Sequence, residues 1–179
     1  MKISLKTKIA FLWWRKFQSK IPQNELYSIS KTGKGFTSSV IILPWNYRFL
    51  PMAQYFIKSL VAKKEKKIIK KIIGWEQHKL VFDSDFSQKI EFIAEDSFNK
   101  FGLLSEASLK KIAKVKYNCA INLDPQVNPI SYQLLSCFNS IPRIGFETDF
   151  DENIYNIIIA RKDKTNYIEQ GYEYILNML

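Results

Sequence analysis

Two short stretches hold the side chains best suited to binding or reaction. Residues 45–48 read Trp-Asn-Tyr-Arg and follow the apolar run 39–43 across Pro44. Asp124, Gln126 and Asn128 follow a second apolar run, 118–123. The planar guanidinium of Arg48 suits a phosphate or carboxylate, which it can hold through two parallel bonds. Trp45 and Tyr47 offer rings for stacking, and Asn46, Gln126 and Asn128 complete the candidate ligand-binding set. Asp124 has two roles open to it. It is either a functional carboxylate at a strand end or the residue that fixes the turn before Pro125 and caps the next helix. The structural role is the expectation.

Elsewhere no complete catalytic set emerges. Lys31-Thr32-Gly33-Lys34-Gly35 lacks the G-x-x-x-x-G-K-[ST] spacing and precedes a strand, so a plain loop is expected. His78 is the only histidine, which removes any histidine cluster, and beside Glu76, Gln77 and Lys79 it reads as a solvated side chain. Cys119 and Cys137 stand eighteen residues apart without a companion histidine, so a zinc site is not expected. Their apolar surroundings read as buried, reduced thiols in a reducing compartment. Asp149, Asp151 and Glu152 form an acidic turn, read as a soluble loop rather than a cation site. Neither a G-x-S-x-G elbow nor a G-x-G-x-x-G fingerprint occurs. No metal and no cofactor is therefore expected, and no catalytic residue is assigned.

The elements that must position these side chains follow from periodicity. Residues 39–43 form a continuous β-branched run that reads as a buried parallel strand. Residues 52–63 repeat apolar side chains at helical spacing, with Pro51 in the first turn. Residues 67–73 give a second strand, closed by Gly74. Short strands are expected at 79–82 and 89–94, then a helix at 105–114, a strand at 118–123, a helix at 129–138, and strands at 143–146 and 154–160. A helix at 166–179 ends the series. Strands alternating with helices predict one three-layer Rossmann-like α/β domain over 39–179, with a mostly parallel sheet. An amphipathic basic helix and a connector precede it over 1–38.

Hydrophobic residues make up 46% and charged residues 25% of the 179, the balance of a folded domain that needs no staples. Charge is unevenly placed. Residues 1–75 carry sixteen Lys or Arg against two acids, net +14, whereas residues 76–179 carry net −4. Such asymmetry suits an anionic partner (a membrane surface, a nucleic acid or a phosphorylated molecule), or equally a Lys- and Ile-rich composition with solvated lysines. Lys63, Lys64, Lys66, Lys67, Lys70 and Lys71 are the candidate contacts, with Trp13, Trp14 and Arg15 in the first helix. On that helix Leu5, Ile9, Leu12, Trp13 and Phe17 share a face flanked by lysines, which fits either a membrane interface or packing on the domain's own sheet. No run approaches the ~18 apolar residues of a membrane span. The stretch 9–14, closed by Arg15 and Lys16, is too short and aromatic for a secretion signal. A cytoplasmic protein is expected, peripheral at the inner membrane if the helix binds lipid.

Three segments resemble a known family: residues 118–125 (Asn-Cys-Ala-Ile-Asn-Leu-Asp-Pro), 131–138 (Ser-Tyr-Gln-Leu-Leu-Ser-Cys-Phe) and 141–147 (Ile-Pro-Arg-Ile-Gly-Phe-Glu). Together with the strand from Val40 and the step at Ile154-Tyr155-Asn156-Ile157, they are similar to the amino-terminal domain of glycosyltransferase family 9, which contains the heptosyltransferases of lipopolysaccharide core assembly. The resemblance covers about residues 39–160. It implies a Rossmann-like half that pairs with a second such domain to bind a nucleotide sugar. The family's first loop carries a Gly-Asp pair whose acid is the presumed base, but residues 46–49 read Asn-Tyr-Arg-Phe, so no base carries over. The chain also ends at Leu179 without a second domain. The expectation is a degenerate, non-catalytic half that binds a phosphorylated or lipid-linked saccharide, or assists a protein partner supplying the missing domain. The alternative is a basic module for nucleic acid, resting on charge alone.

Overall fold

The β-branched runs assemble into a sheet in the computed structural model. It describes residues 4–17, 36, 38–62, 69–82, 90–126, 128–138, 141–147, 154–160 and 167–179, the side chains at 17, 69, 70 and 167 excepted. The strands are β1 (Ser39–Ile42), β2 (Ile69–Trp75), β3 (Ile90–Ile93), β4 (Cys119–Asn122), β5 (Arg143–Phe146) and β6 (Ile157–Ile159). All neighbours pair in parallel, in the order β3-β2-β1-β4-β5-β6. Every residue of β1, β4 and β5 is buried, as expected of strands covered on both faces. The chain winds outward from β1 to β3, then returns to start again at β4 beside β1. That boundary is the topological switch point of the sheet.

Alternation along the strands divides the core into two layers. Ile41, Leu43, Cys119, Ile121 and Leu123 face α2 (Leu50–Ala62) and α5 (Tyr167–Met178). Val40, Ile42, Ile73, Trp75 and Ala120 face the opposite way, toward α3 (Glu106–Ala113) and α4 (Pro129–Ser136). Helix starts follow local chemistry. Ser105 accepts from Ser108 N at 3.2 Å, and Asn128 accepts from Ile130 N and Ser131 N ahead of Pro129.

The first helix, α1 (Leu5–Phe17), joins the second layer through Phe11, packed with Trp14 and edge-on to Tyr132 of α4. The stripe of Leu5, Ile9, Leu12 and Trp13 points outward instead. Among the described residues no helix is long and apolar enough to cross a membrane.

Three expectations change. Residues 79–82 do not form a strand; Glu76–Val81 is a 3₁₀ segment directly following β2. Gly74 does not close β2, because the strand runs on to Trp75, whose buried indole donates from Nε1 to Leu43 O at 3.1 Å. His78 is not solvated: the 3₁₀ turn rolls it inward to 4% exposure, its ring lies 5.9 Å from that of Tyr47, and burial lowers its pKa. Cys119 is buried and Cys137 half-buried, both as free thiols. Residues 31–35 and the acidic turn at 149–152 lie outside the described residues.

Gly145 in β5 lies against the ring of Tyr155, itself almost fully buried. A Cβ built there would meet the ring at 2.2 Å, closer than any side chain tolerates. Gly145→Ala is expected to cost at least about 1–3 kcal/mol, the range for overpacking a tight core. Urea denaturation measures it, and an unchanged midpoint would show that the ring moves aside freely.

Candidate functional site

The switch point brings together the two loops that carry the candidate ligand-binding residues. After β1 the chain passes Leu43, Pro44, Trp45 and Asn46 into a 3₁₀ turn, Tyr47–Phe49, and then α2. After β4 it passes Leu123, Asp124 and Gln126 to Asn128, the cap of α4. Asp124 joins them. Its Oδ2 accepts from Trp45 N at 2.9 Å and from Asn128 Nδ2 at 3.2 Å, while its Oδ1 accepts from Gln126 N at 3.0 Å. A second, weaker bridge runs from Asn46 Nδ2 to Gln126 Oε1 at 3.4 Å. Asn46 Oδ1 also caps the 3₁₀ turn by accepting from Arg48 N.

A buried polar chain continues below. Asp124 N donates to Asn122 Oδ1, and Asn122 Nδ2 donates to the Tyr155 hydroxyl at 2.7 Å. Tyr172 of α5 donates its hydroxyl to Leu123 O at 2.6 Å, so the last helix also holds this loop. Asp124 is only 1% exposed, and burial pushes its pKa up to about 6 against the three hydrogen bonds that favour the anion. A general base must come within ~3 Å of the proton it removes. Asp124, enclosed and with its oxygens already bonded to the protein, fixes the two loops to each other.

The exposed members of the set stand at the rim. Tyr47 and Arg48 face solvent on the 3₁₀ turn. Trp45 leans on Trp75, ring centroids 4.5 Å apart at 70°, and on Phe98 at 6.3 Å. Beside these rings opens a cleft of about 470 Å³, lined by Trp45, Trp75 and Phe98 and by Glu76, Glu95 and Asp96. Glu76 Oε2 accepts from Glu95 N at 3.2 Å, which holds the exits of β2 and β3 together. Sequence reasoning places only Trp45 in this cleft. The remaining residues depend on where β2 and β3 end, and the signal that finds Glu76 is the continuation of β2 through Trp75.

The basic candidates are dispersed. Lys63, Lys64, Lys66 and Lys67 lie outside the described residues, and only the backbone of Lys70 is described. Lys71 is half-buried in β2 and ion-paired with Glu91 of β3. Trp14 and Arg15 turn toward Tyr132, the guanidinium 5.7 Å from the ring centre, whereas Trp13 faces outward. Among the described residues no group of three or more His, Cys, Asp or Glu is placed to hold a metal.

The raised pKa of Asp124 has a defined stability signature. Between about pH 4 and pH 6 the folded chain keeps a proton that the unfolded chain releases. This contribution is complete below pH 4 and is lost as pH rises through 6. Across that window wild type is expected to lose on the order of 2–3 kcal/mol relative to Asp124→Asn. Denaturation at a series of pH values tests this, and parallel pH profiles for the two proteins would refute it.

Compared with family models, with curated proteins and with solved structures, the chain matches none.

Proposed function

We propose that this chain is a non-catalytic binding domain for a phosphorylated or lipid-linked saccharide, built like the amino-terminal half of a two-Rossmann-domain glycosyltransferase. In that family a second such domain completes the nucleotide-sugar site. The observation that carries this reading is the cleft at the carboxyl ends of the strands, where ligands of such sheets bind. Its indole and phenyl walls suit the apolar faces of a sugar ring, and its carboxylates suit hydroxyl donors. Three carboxylates repel phosphate, so a phosphate belongs outside the cleft, on Arg48 of the adjoining turn. The resemblance of residues 39–160 to glycosyltransferase family 9 supports the same class of ligand. The enclosed Asp124 and the acid-free loop 46–49 support binding without turnover. Any transfer activity would be glycosyltransferase-like and would need the second domain.

Thermal stability measured against sugars, sugar phosphates and nucleotide sugars tests the proposal. A ligand selective for the folded state raises stability by RT ln(1 + [L]/Kd), about 2.7 kcal/mol at a hundredfold excess over Kd. A sugar phosphate is expected to raise Tm, Arg48→Ala to remove most of that gain, and Glu95→Ala to weaken the sugar and its phosphate alike. No shift with any saccharide would overturn the reading. Binding to nucleic acid instead, falling steeply with salt and on neutralising Lys66, Lys67, Lys70 and Lys71, would establish the alternative.

A further inference from the structure

α1 is apolar on two sides. Its inner side, Ala10, Phe11 and Trp14, packs on the core. Its outer side carries Leu5, Ile9, Leu12 and Trp13 at 59–74% exposure. A helix that serves only to cover a core turns polar residues to solvent, whereas Leu5, Ile9 and Leu12 stay exposed on this one.

A second element enlarges it. The turn at 99–102 raises Phe101 to 40% exposure next to the helix. Gly102, at φ 74°, lets that turn close on α1, since a Cβ there would sit 2.9 Å from Thr7 Oγ1. Between helix and turn runs a groove of about 680 Å³ walled by Leu5, Ile9, Trp13, Phe101 and Leu103. Cations rim it. Lys6 lies 5.5 Å and Lys100 5.2 Å from the centre of the Phe101 ring, and Lys8 flanks the stripe along the helix. No acid occurs in residues 4–17 or 99–102.

We infer that this face docks on an anionic lipid bilayer, with α1 lying in the plane of the interface and Phe101 entering beside it. Charge complementarity selects the occupant. Aromatic and aliphatic side chains enter the acyl boundary while lysines on both flanks meet anionic headgroups. A second copy would instead bring the same cations face to face. At 1.5 Å per residue the thirteen-residue helix is ~20 Å long, too short to span a ~30 Å hydrocarbon core, so it lies flat. The segment 95–104 lines both the groove, through Asn99, Phe101 and Leu103, and the carboxyl-end cleft, through Asp96 and Phe98. The inference does not depend on what the cleft binds.

Co-sedimentation of the full chain with vesicles tests it, using phosphatidylcholine alone and phosphatidylcholine mixed with phosphatidylglycerol. Binding is expected on the anionic vesicles only. Leu12→Asp and Phe101→Asp should each weaken it by about tenfold or more, the loss of one buried apolar side chain. The double variant Lys6→Glu/Lys100→Glu should do the same. Leu80→Asp, at a fully exposed site on another element, should bind as wild type does. Deleting α1 would also unpack Phe11, so exposed point substitutions with unaltered Tm are the informative variants. Failure of wild type to bind, equal binding to neutral vesicles, or full binding by Leu12→Asp would overturn the inference. So would a vesicle-free dimer that Leu12→Asp dissolves, since that assigns the face to a second copy. The saccharide measurements use no vesicles, so the two proposals fail separately.

Discussion

The bond from Trp45 N to Asp124 Oδ2 spans the point where the sheet changes direction, and much of the carboxyl end depends on it. A carboxylate with so little access to water is costly unless donors surround it. Here the donors come from Trp45 on one loop and from Gln126 and Asn128 on the other, so meeting the cost fixes both loops. Asn128 divides its amide between this carboxylate and the cap of α4, while Tyr172 and the Trp75 indole secure the adjacent carbonyls of Leu123 and Leu43. A Rossmann-type crevice is usually open at this place for a ligand. In this chain protein groups fill its floor, and the accessible space moves outward and toward β2 and β3.

That displacement gives the molecule two neighbouring surfaces of opposite character. The cleft beside Trp45 and Phe98 is aromatic and acidic. The outer face of α1 is aromatic and cationic. One segment, 95–104, separates them and contributes to each. Ser105, just past its end, closes it back on itself by donating from N to Ser97 O at 2.9 Å. Leu104 N donates to Gln133 Oε1 of α4, which fastens the segment to the core. The two surfaces are thus fixed relative to one another by backbone and side-chain bonds.

The parts legible in the sequence are those where one physical requirement acts alone. β1, β4 and β5 are short, fully buried strands, as strands covered on both faces must be, and Pro129 after Asn128 marks a helix start directly. The end of β2 is not legible. Gly74 reads as punctuation there, yet the strand needs one more residue to bury Trp75, and His78 turns inward as a result. The side of α1 that packs on the core is hidden for another reason: both of its stripes are apolar, so periodicity identifies a helix without choosing a side. At the site, strand exits locate Trp45, Arg48 and Asp124. That Asp124 bonds across to Trp45 rather than facing solvent is a tertiary fact about loops 79 residues apart in the chain. Glu76 depends on the misread exit of β2, while Glu95 and Asp96 follow β3 and join the cleft only through the tertiary pairing of the two strands.

The pairing of β1 with β4 also orders events in time. Ser38 and Asn118, eighty residues apart, exchange hydrogen bonds just before those strands meet. During synthesis β1 can pair with β2 early, but its other edge stays an open row of amides and carbonyls until β4 leaves the ribosome. Such long-range closure slows folding, and such an edge invites pairing with other chains. The first 75 residues, net +14, are the part that waits. Like charge at that density disfavours contact between unfinished copies.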